Sequence, residues 1–126
     1  MKKLEFYKCE DCDYIKVEVV DETSCDGNSM ILIEPNTVDA AKEKHVPVLK
    51  FDDNMLEVTV GEVLHPMSEE HLIDNIYVVT DNGLIMHKEL KSTDEPKYTF
   101  KVDDAKKVDV YITCNLHGVW KASATR

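Results

Sequence analysis

"NIYVVTDNGLIMH", Asn75 to His87, decides the fold class. Two short runs rich in β-branched and aromatic residues flank Asp81-Asn82-Gly83. Asn-Gly tolerates the positive φ of a type I′ turn, so the stretch predicts a β-hairpin. Working outward, "YIKVEVV" (14–20), "MLEVTV" (55–60) and "YTFKV" (98–102) alternate apolar and polar residues as half-buried strands do. "VPVLKF" (46–51) and "VDVYITC" (108–114) are short, β-rich and bounded by turn residues. Only "NTVDAAKEKH" (36–45) has helical composition, and Pro47 stops it after a turn or two. Many short strands with turn punctuation predict an all-β protein, a β-sandwich.

The 126 residues allow one modest domain, or one with a small appendage. A seam lies in "CDGNSMILIEPNTVDA" (25–40), which divides a cysteine-bearing segment, 1–35, from a strand-rich body, 36–126. A piece of about 35 residues buries too little core to stand alone and needs a metal, a partner or docking. The net charge of −10 offers no basic stripe for phosphates, which excludes nucleic acid as a partner. "MKKLEFYKCEDCDY" has no apolar run behind its lysines, and no stretch is long and apolar enough to span a membrane. The expectation is a soluble, cytoplasmic protein.

The cysteines are Cys9, Cys12, Cys25 and Cys114. An even count suggests disulfides in a secreted chain, but C-x-x-C near the start and C-x-x-H near the end fit metal spacing better. The bland alternative is that each is a reduced, small hydrophobe. In "TCNLHGVW" (113–120), Cys114 ends a strand, His117 follows three residues later, and Gly118 lets the chain turn. A thiolate and an imidazole at that spacing can chelate one ion from a tight loop. "HPMSEEH" (65–71) places two histidines six apart, wrong for one helix face but suited to a wrapped loop. His45 follows the helical piece. Any single histidine is more often a surface or core side chain than a ligand, but the joint pattern points to a transition-metal site.

"EKHVP" (43–47), "VGEVLHPMSEEHLIDNIYV" (60–78) and "CNLHGVWK" (114–121) together resemble the iron-binding segments of the superoxide reductase, or desulfoferrodoxin/neelaredoxin, family, in its order and spacing. "YKCEDCDYIKVEVV" (7–20) resembles the small desulforedoxin-like domain of its two-domain members. The resemblance implies an immunoglobulin-like β-sandwich and a mononuclear iron held by four equatorial histidines and one axial cysteine. The matching positions are His45, His65, His71 and His117, with Cys114 as the thiolate. His87 matches nothing and is read as a non-ligand. Five protein ligands on an ion that accepts six leave a position for substrate. Superoxide takes one electron from Fe(II) and, after two protonations, leaves as hydrogen peroxide.

Superoxide is an anion and the chain is acidic, yet local charge decides its approach. Fe(II), one thiolate and four neutral imidazoles sum to a single positive charge, and charges beyond about 8 Å are screened at physiological salt. By the family match, Lys44 draws in superoxide and helps organise protons, while Glu43 caps the oxidised iron. The plainer reading of "AAKEKH" is a solvated helix end. The backbone N–H groups of Asn115, Leu116 and His117 are candidates to donate to the Cys114 sulfur. Trp120 is expected in the sandwich core.

The family's second iron site uses four cysteines, and this chain has Asp26 after Cys25 where the pattern has a cysteine pair. Three readings stay open: a metal-free segment held by packing, zinc on Cys9, Cys12, Cys25 and Asp26 or another donor, or a disulfide between two of the thiols. The resemblance further implies a rubredoxin-like electron donor and a homodimer. The rival from another class is a non-enzymatic metal-binding sandwich, either an electron carrier with Met67 or Met86 beside copper or a structural zinc module. An interaction-only sandwich leaves the ligand pattern unexplained.

Overall fold

The computed structural model of the chain describes residues 1–9, 15–20, 30–36, 46–61, 67–68, 71–115 and 118–126. Among them run ten strands: β1 Lys3–Cys9, β2 Ile15–Val20, β3 Met30–Ile33, β4 Pro47–Asp52, β5 Met55–Val60, β6 Ile73–Thr80, β7 Ile85–Glu89, β8 Lys97–Lys101, β9 Lys107–Cys114 and β10 Gly118–Thr125. They form three antiparallel sheets in the orders β2-β1-β3, β10-β9-β6-β7 and β4-β5-β8. The protein is all-β, as the alternation of its segments predicts.

Both faces of the central sheet are covered. Ile76, Val78, Val108, Val110, Ile112 and Trp120 pack on Leu56, Val58, Val60 and Phe100 of the β4-β5-β8 sheet, making the main core. The intervening residues Val79, Tyr111 and Val119 point the other way, onto Leu4, Phe6 and Ile33 of the amino-terminal sheet. Period-2 alternation therefore sends β9 side chains into two different cores, and seven consecutive residues of that strand are buried. This is why "VDVYITC" reads as a nearly continuous β-rich run.

Three strands lie outside the runs singled out from sequence. β10, "GVWKASAT", is rich in small residues of low strand propensity. It forms because it pairs along all eight residues with β9 and because Trp120 anchors it in the core. β1 and β3 pair with each other and gain their burial from Tyr111 and Val119 beneath.

The Asp81-Asn82-Gly83 hairpin is present, but it is not the type I′ turn expected. Gly83 has φ 95°, whereas Asn82 is not in the left-handed region, and a type I′ turn needs both. Gly83 N–H donates to Thr80 C=O (3.4 Å) and Thr80 N–H to Leu84 C=O (3.0 Å). The loop is thus three residues long, a type I turn closed by a left-handed glycine. The Thr80 hydroxyl explains the preference, accepting the Leu84 N–H at 2.9 Å and bonding the Asn82 side chain. Of the predicted helical piece 36–45, only Asn36 is described. It lies in a turn at φ 63° and donates its N–H to Val119 C=O (2.8 Å); residues 37–45 lie outside the described residues.

Candidate metal centre

Cys114 closes β9, between Ile73 of β6 on one side and Gly118 of β10 on the other. Its side chain faces the main core and is 1% exposed. Trp120, two residues along β10 from Gly118, shares that core. A Cβ on Gly118 would overlap the six-membered ring of Trp120. Gly118 has no left-handed φ, so it is there to admit the indole and not to turn the chain, which corrects the sequence-based reason for it.

His71 comes to the same strand end from the β5–β6 connection. Its backbone is held from both directions. Toward the amino terminus, Ser68 N–H donates to His71 C=O (3.0 Å), while His71 N–H donates to Ser68 C=O (3.2 Å) and to Ser68 Oγ (3.1 Å). Toward the carboxyl terminus, Leu72 is bridged twice to Asn115. Asn115 N–H donates to Leu72 C=O (3.1 Å), and Leu72 N–H donates to Asn115 Oδ1 (3.0 Å). The structure thus brings together His71 and Cys114, each one residue from this bridge.

The bridge bears on one expected donor. The Asn115 N–H donates to Leu72, and the Cys114 thiol donates to Asn115 Oδ1 across 3.7 Å; the other two expected donors, Leu116 and His117, lie outside the described residues. Just beyond, the β6–β9 register shifts between Ile73 and Asn75, leaving Asp74 as a bulge. Thr113 Oγ1 donates to the Asp74 carboxylate and accepts from Asn75 Nδ2 (3.2 Å), so the bulge is tied to the strand carrying Cys114. Bulges commonly re-aim side chains beside active sites.

The other expected ligands, His45, His65 and His117, lie outside the described residues, as do Glu43, Lys44, Cys12, Cys25 and Asp26. Cys9 is the last residue of β1, paired with Met30. Described residues follow His45 directly and flank the stretch carrying His65 at Gly61 and Met67. Val46, after His45, accepts the Gly61 N–H at 3.1 Å, and Pro47 pairs with Val60, where the connection carrying His65 begins. Met67 packs against the main core. Among the described residues no group of three or more His, Cys, Asp or Glu could hold a metal; of the five expected ligands, His71 and Cys114 are the two described.

His87 belongs to the other face of the central sheet. Its ring stacks on Tyr77 at 4.5 Å with planes 9° apart, and Nε2 lies 2.6 Å from Asn75 Oδ1. Half-burial, with Asp74 and Glu89 near by, raises the Tyr77 phenol above its ordinary value. Sequence reasoning missed Ser68, Leu72, Thr113 and the Asn115 side chain. The one signal available was asparagine directly after a strand-ending cysteine, too common a residue to single out.

Residues 37–123 match the family model described as Desulfoferrodoxin. The chain belongs to the desulfoferrodoxin family. It is 43% identical over 123 residues to a desulfoferrodoxin homolog of Archaeoglobus fulgidus, covering 94% of this chain and 96% of that one. Desulfoferrodoxin of Nitratidesulfovibrio vulgaris is 46% identical over 124 residues, covering 95% and 96%. Among solved structures, the superoxide reductase of Treponema pallidum superposes with TM-score 0.74 at 34% identity, over 95% of this chain and 98% of that one. The superoxide reductase (1Fe-SOR) of Giardia intestinalis superposes with TM-score 0.59 at 29% identity, over 68% of this chain and all of that one. The desulfoferrodoxin match extends through the segments that carry all five expected ligands. Among the described residues no helix is long and apolar enough to cross a membrane.

Proposed function

We propose that this member of the desulfoferrodoxin family is a superoxide reductase whose iron is held by His45, His65, His71, His117 and Cys114. The observation that carries the reading is the double bridge between Leu72 and Asn115, which holds a candidate imidazole and a candidate thiolate at one strand end. The donor set suits iron: imidazole nitrogens are common iron ligands, and a thiolate is a strong electron donor. A buried Cys114 keeps that thiolate away from other reactants. Iron bound there would supply the single electron that, with two protons, converts superoxide to hydrogen peroxide.

The chain's own residues do the rest. Lys44, next to His45, adds positive charge for an incoming anion on a protein of net charge −10. Glu43 would cap the oxidised site. Residues 36–126 carry the reaction and 1–35 form an annex. Its reading as a metal-free unit held by packing is supported by Leu4, Phe6 and Ile33 on Tyr111 and Val119. Zinc on Cys9, Cys12, Cys25 and Asp26 is the competing reading. We read the protein as a cytoplasmic homodimer served by a rubredoxin-like donor.

The test loads the protein with iron, records its visible spectrum and metal content, and follows superoxide and peroxide with a reductant present. The expected result is one iron and no zinc per chain, a thiolate charge-transfer band, and one peroxide formed per superoxide consumed. Cys114→Ser loses the band and most turnover. Iron-loaded protein that leaves superoxide untouched would identify a carrier instead, and one peroxide per two superoxides would mean dismutation.

A further inference from the structure

We infer that the Asn115 side chain is a positioning residue that sets the separation of His71 and Cys114. This rests on the reading of those two residues as ligands of one metal. The argument starts from the β6–β9 ladder, which ends at Ile73 and Cys114 and is already disturbed by the bulge at Asp74. The next rung would join Leu72 to Asn115 through both backbone groups of each. Asn115 supplies its N–H to Leu72 C=O (3.1 Å), but in place of its own carbonyl it presents Oδ1 to Leu72 N–H (3.0 Å). The side chain completes the rung while the backbone leaves the strand in a turn.

Two bonds fix what one would leave to swivel. With only the Asn115 N–H in place, Leu72 can pivot about a single contact, and His71 pivots with it. Ser68 holds the other side of His71, so Asn115 decides whether that turn is fastened to the strand bearing Cys114. The position of Oδ1 has a second consequence. It lies 3.7 Å from Sγ, and the Leu72 N–H holds it there even when the sulfur has lost its proton. Groups that orient ligands in this way change metal affinity by about 10–100-fold when removed.

The test uses full-length protein, with ferrous iron bound in competition with a chelator, the charge-transfer band of the oxidised form, and circular dichroism for the fold. Asn115→Ala is expected to keep the β-sheet signal, lose about tenfold or more in iron affinity, and move the band. Asn115→Asp retains an acceptor for Leu72 N–H at the same reach and is expected to stay within about threefold of wild type. Asn115→Gln carries the same amide one methylene too far and is expected to behave like alanine, which keeps the question open to decision if the alanine variant misfolds. A role in stability alone would lower the melting temperature without moving the band, and that result overturns the inference. So does wild-type affinity and spectrum in either Asn115→Ala or Asn115→Gln. His71→Ala and Cys114→Ser are measured beside them. If both lose affinity while the Asn115 variants do not, only the positioning role falls; if neither does, the ligand assignment falls and takes it along.

Discussion

Gly118→Ala isolates a steric demand at the end of the strand pair that carries Cys114. The backbone is not in the left-handed region, so alanine is tolerated locally. Replacing glycine alone would then stabilise by about 0.4–1 kcal/mol through the unfolded chain. Against this, the new methyl overlaps the ring of Trp120, a side chain only 2% exposed in the main core. Overpacking costs about 1–3 kcal/mol, and expelling a buried tryptophan approaches the ~3–5 kcal/mol of its truncation. The net expectation is a loss of about 2–3 kcal/mol. For a domain of this size that lowers Tm by roughly 8–12 °C. Trp120 is the only tryptophan, so its fluorescence reports the displacement directly, and the emission maximum should move to the red. A double-mutant cycle with Trp120→Leu checks the cause, because Gly118→Ala should cost little once the ring is gone. An unchanged Tm and emission maximum, or an equal cost in both backgrounds, would refute the overlap as the reason for this glycine.

Further expectations concern charge at three places. Lys44→Ala should retain iron but slow association with superoxide and flatten its dependence on ionic strength; equal rates across salt concentrations would remove the steering role. Arg126 donates to the carbonyls of Asp53, Asp103 and Ala105, and its guanidinium lies 4.8 Å from the centre of the Phe51 ring. It fastens two turns whose residues Asp53 and Asp103 sit at φ 53° and 54°. Arg126→Ala should cost about 1–2 kcal/mol in urea unfolding, and lysine should recover less than half, since an ammonium cannot fork to three carbonyls. The Asp81 carboxyl is held below its ordinary value: slight burial opposes this, and the backbone N–H groups of Lys107 and Lys106 overcome it. Its contribution is therefore present above about pH 4 and lost as the pH falls through the lowered value. Asp81→Asn should flatten the acid side of the stability curve, read by denaturant titration at falling pH.

Fold class was legible because strand alternation and turn chemistry are local properties. Tyr98–Val102 and Met55–Val60 show their pattern within a few residues. The covering of the central sheet on both faces was not legible. "VDVYITC" shows that β9 is buried without showing that Tyr111 and Val110 enter different cores, because the covering residues Phe6 and Leu56 are remote in the chain. The turn type at Asn82-Gly83 was misread for a similar reason, since the Thr80 hydroxyl, outside the dipeptide, favours the three-residue loop. β10 escaped notice because small residues carry little strand preference until a neighbouring edge pairs with them.

By itself the sequence determined the all-β class and the excess of acid, since each follows from residue type and short-range pattern, while the expected ligand set of imidazoles and a thiol is what its family resemblance implies. Only the tertiary structure decided that His71 and Cys114 share a strand end, and what holds them there. The fastening spans 43 positions between Leu72 and Asn115 and uses an amide oxygen standing in for a backbone carbonyl. Asparagine can present that oxygen almost anywhere, and its role exists only where folding brings an open rung beside it.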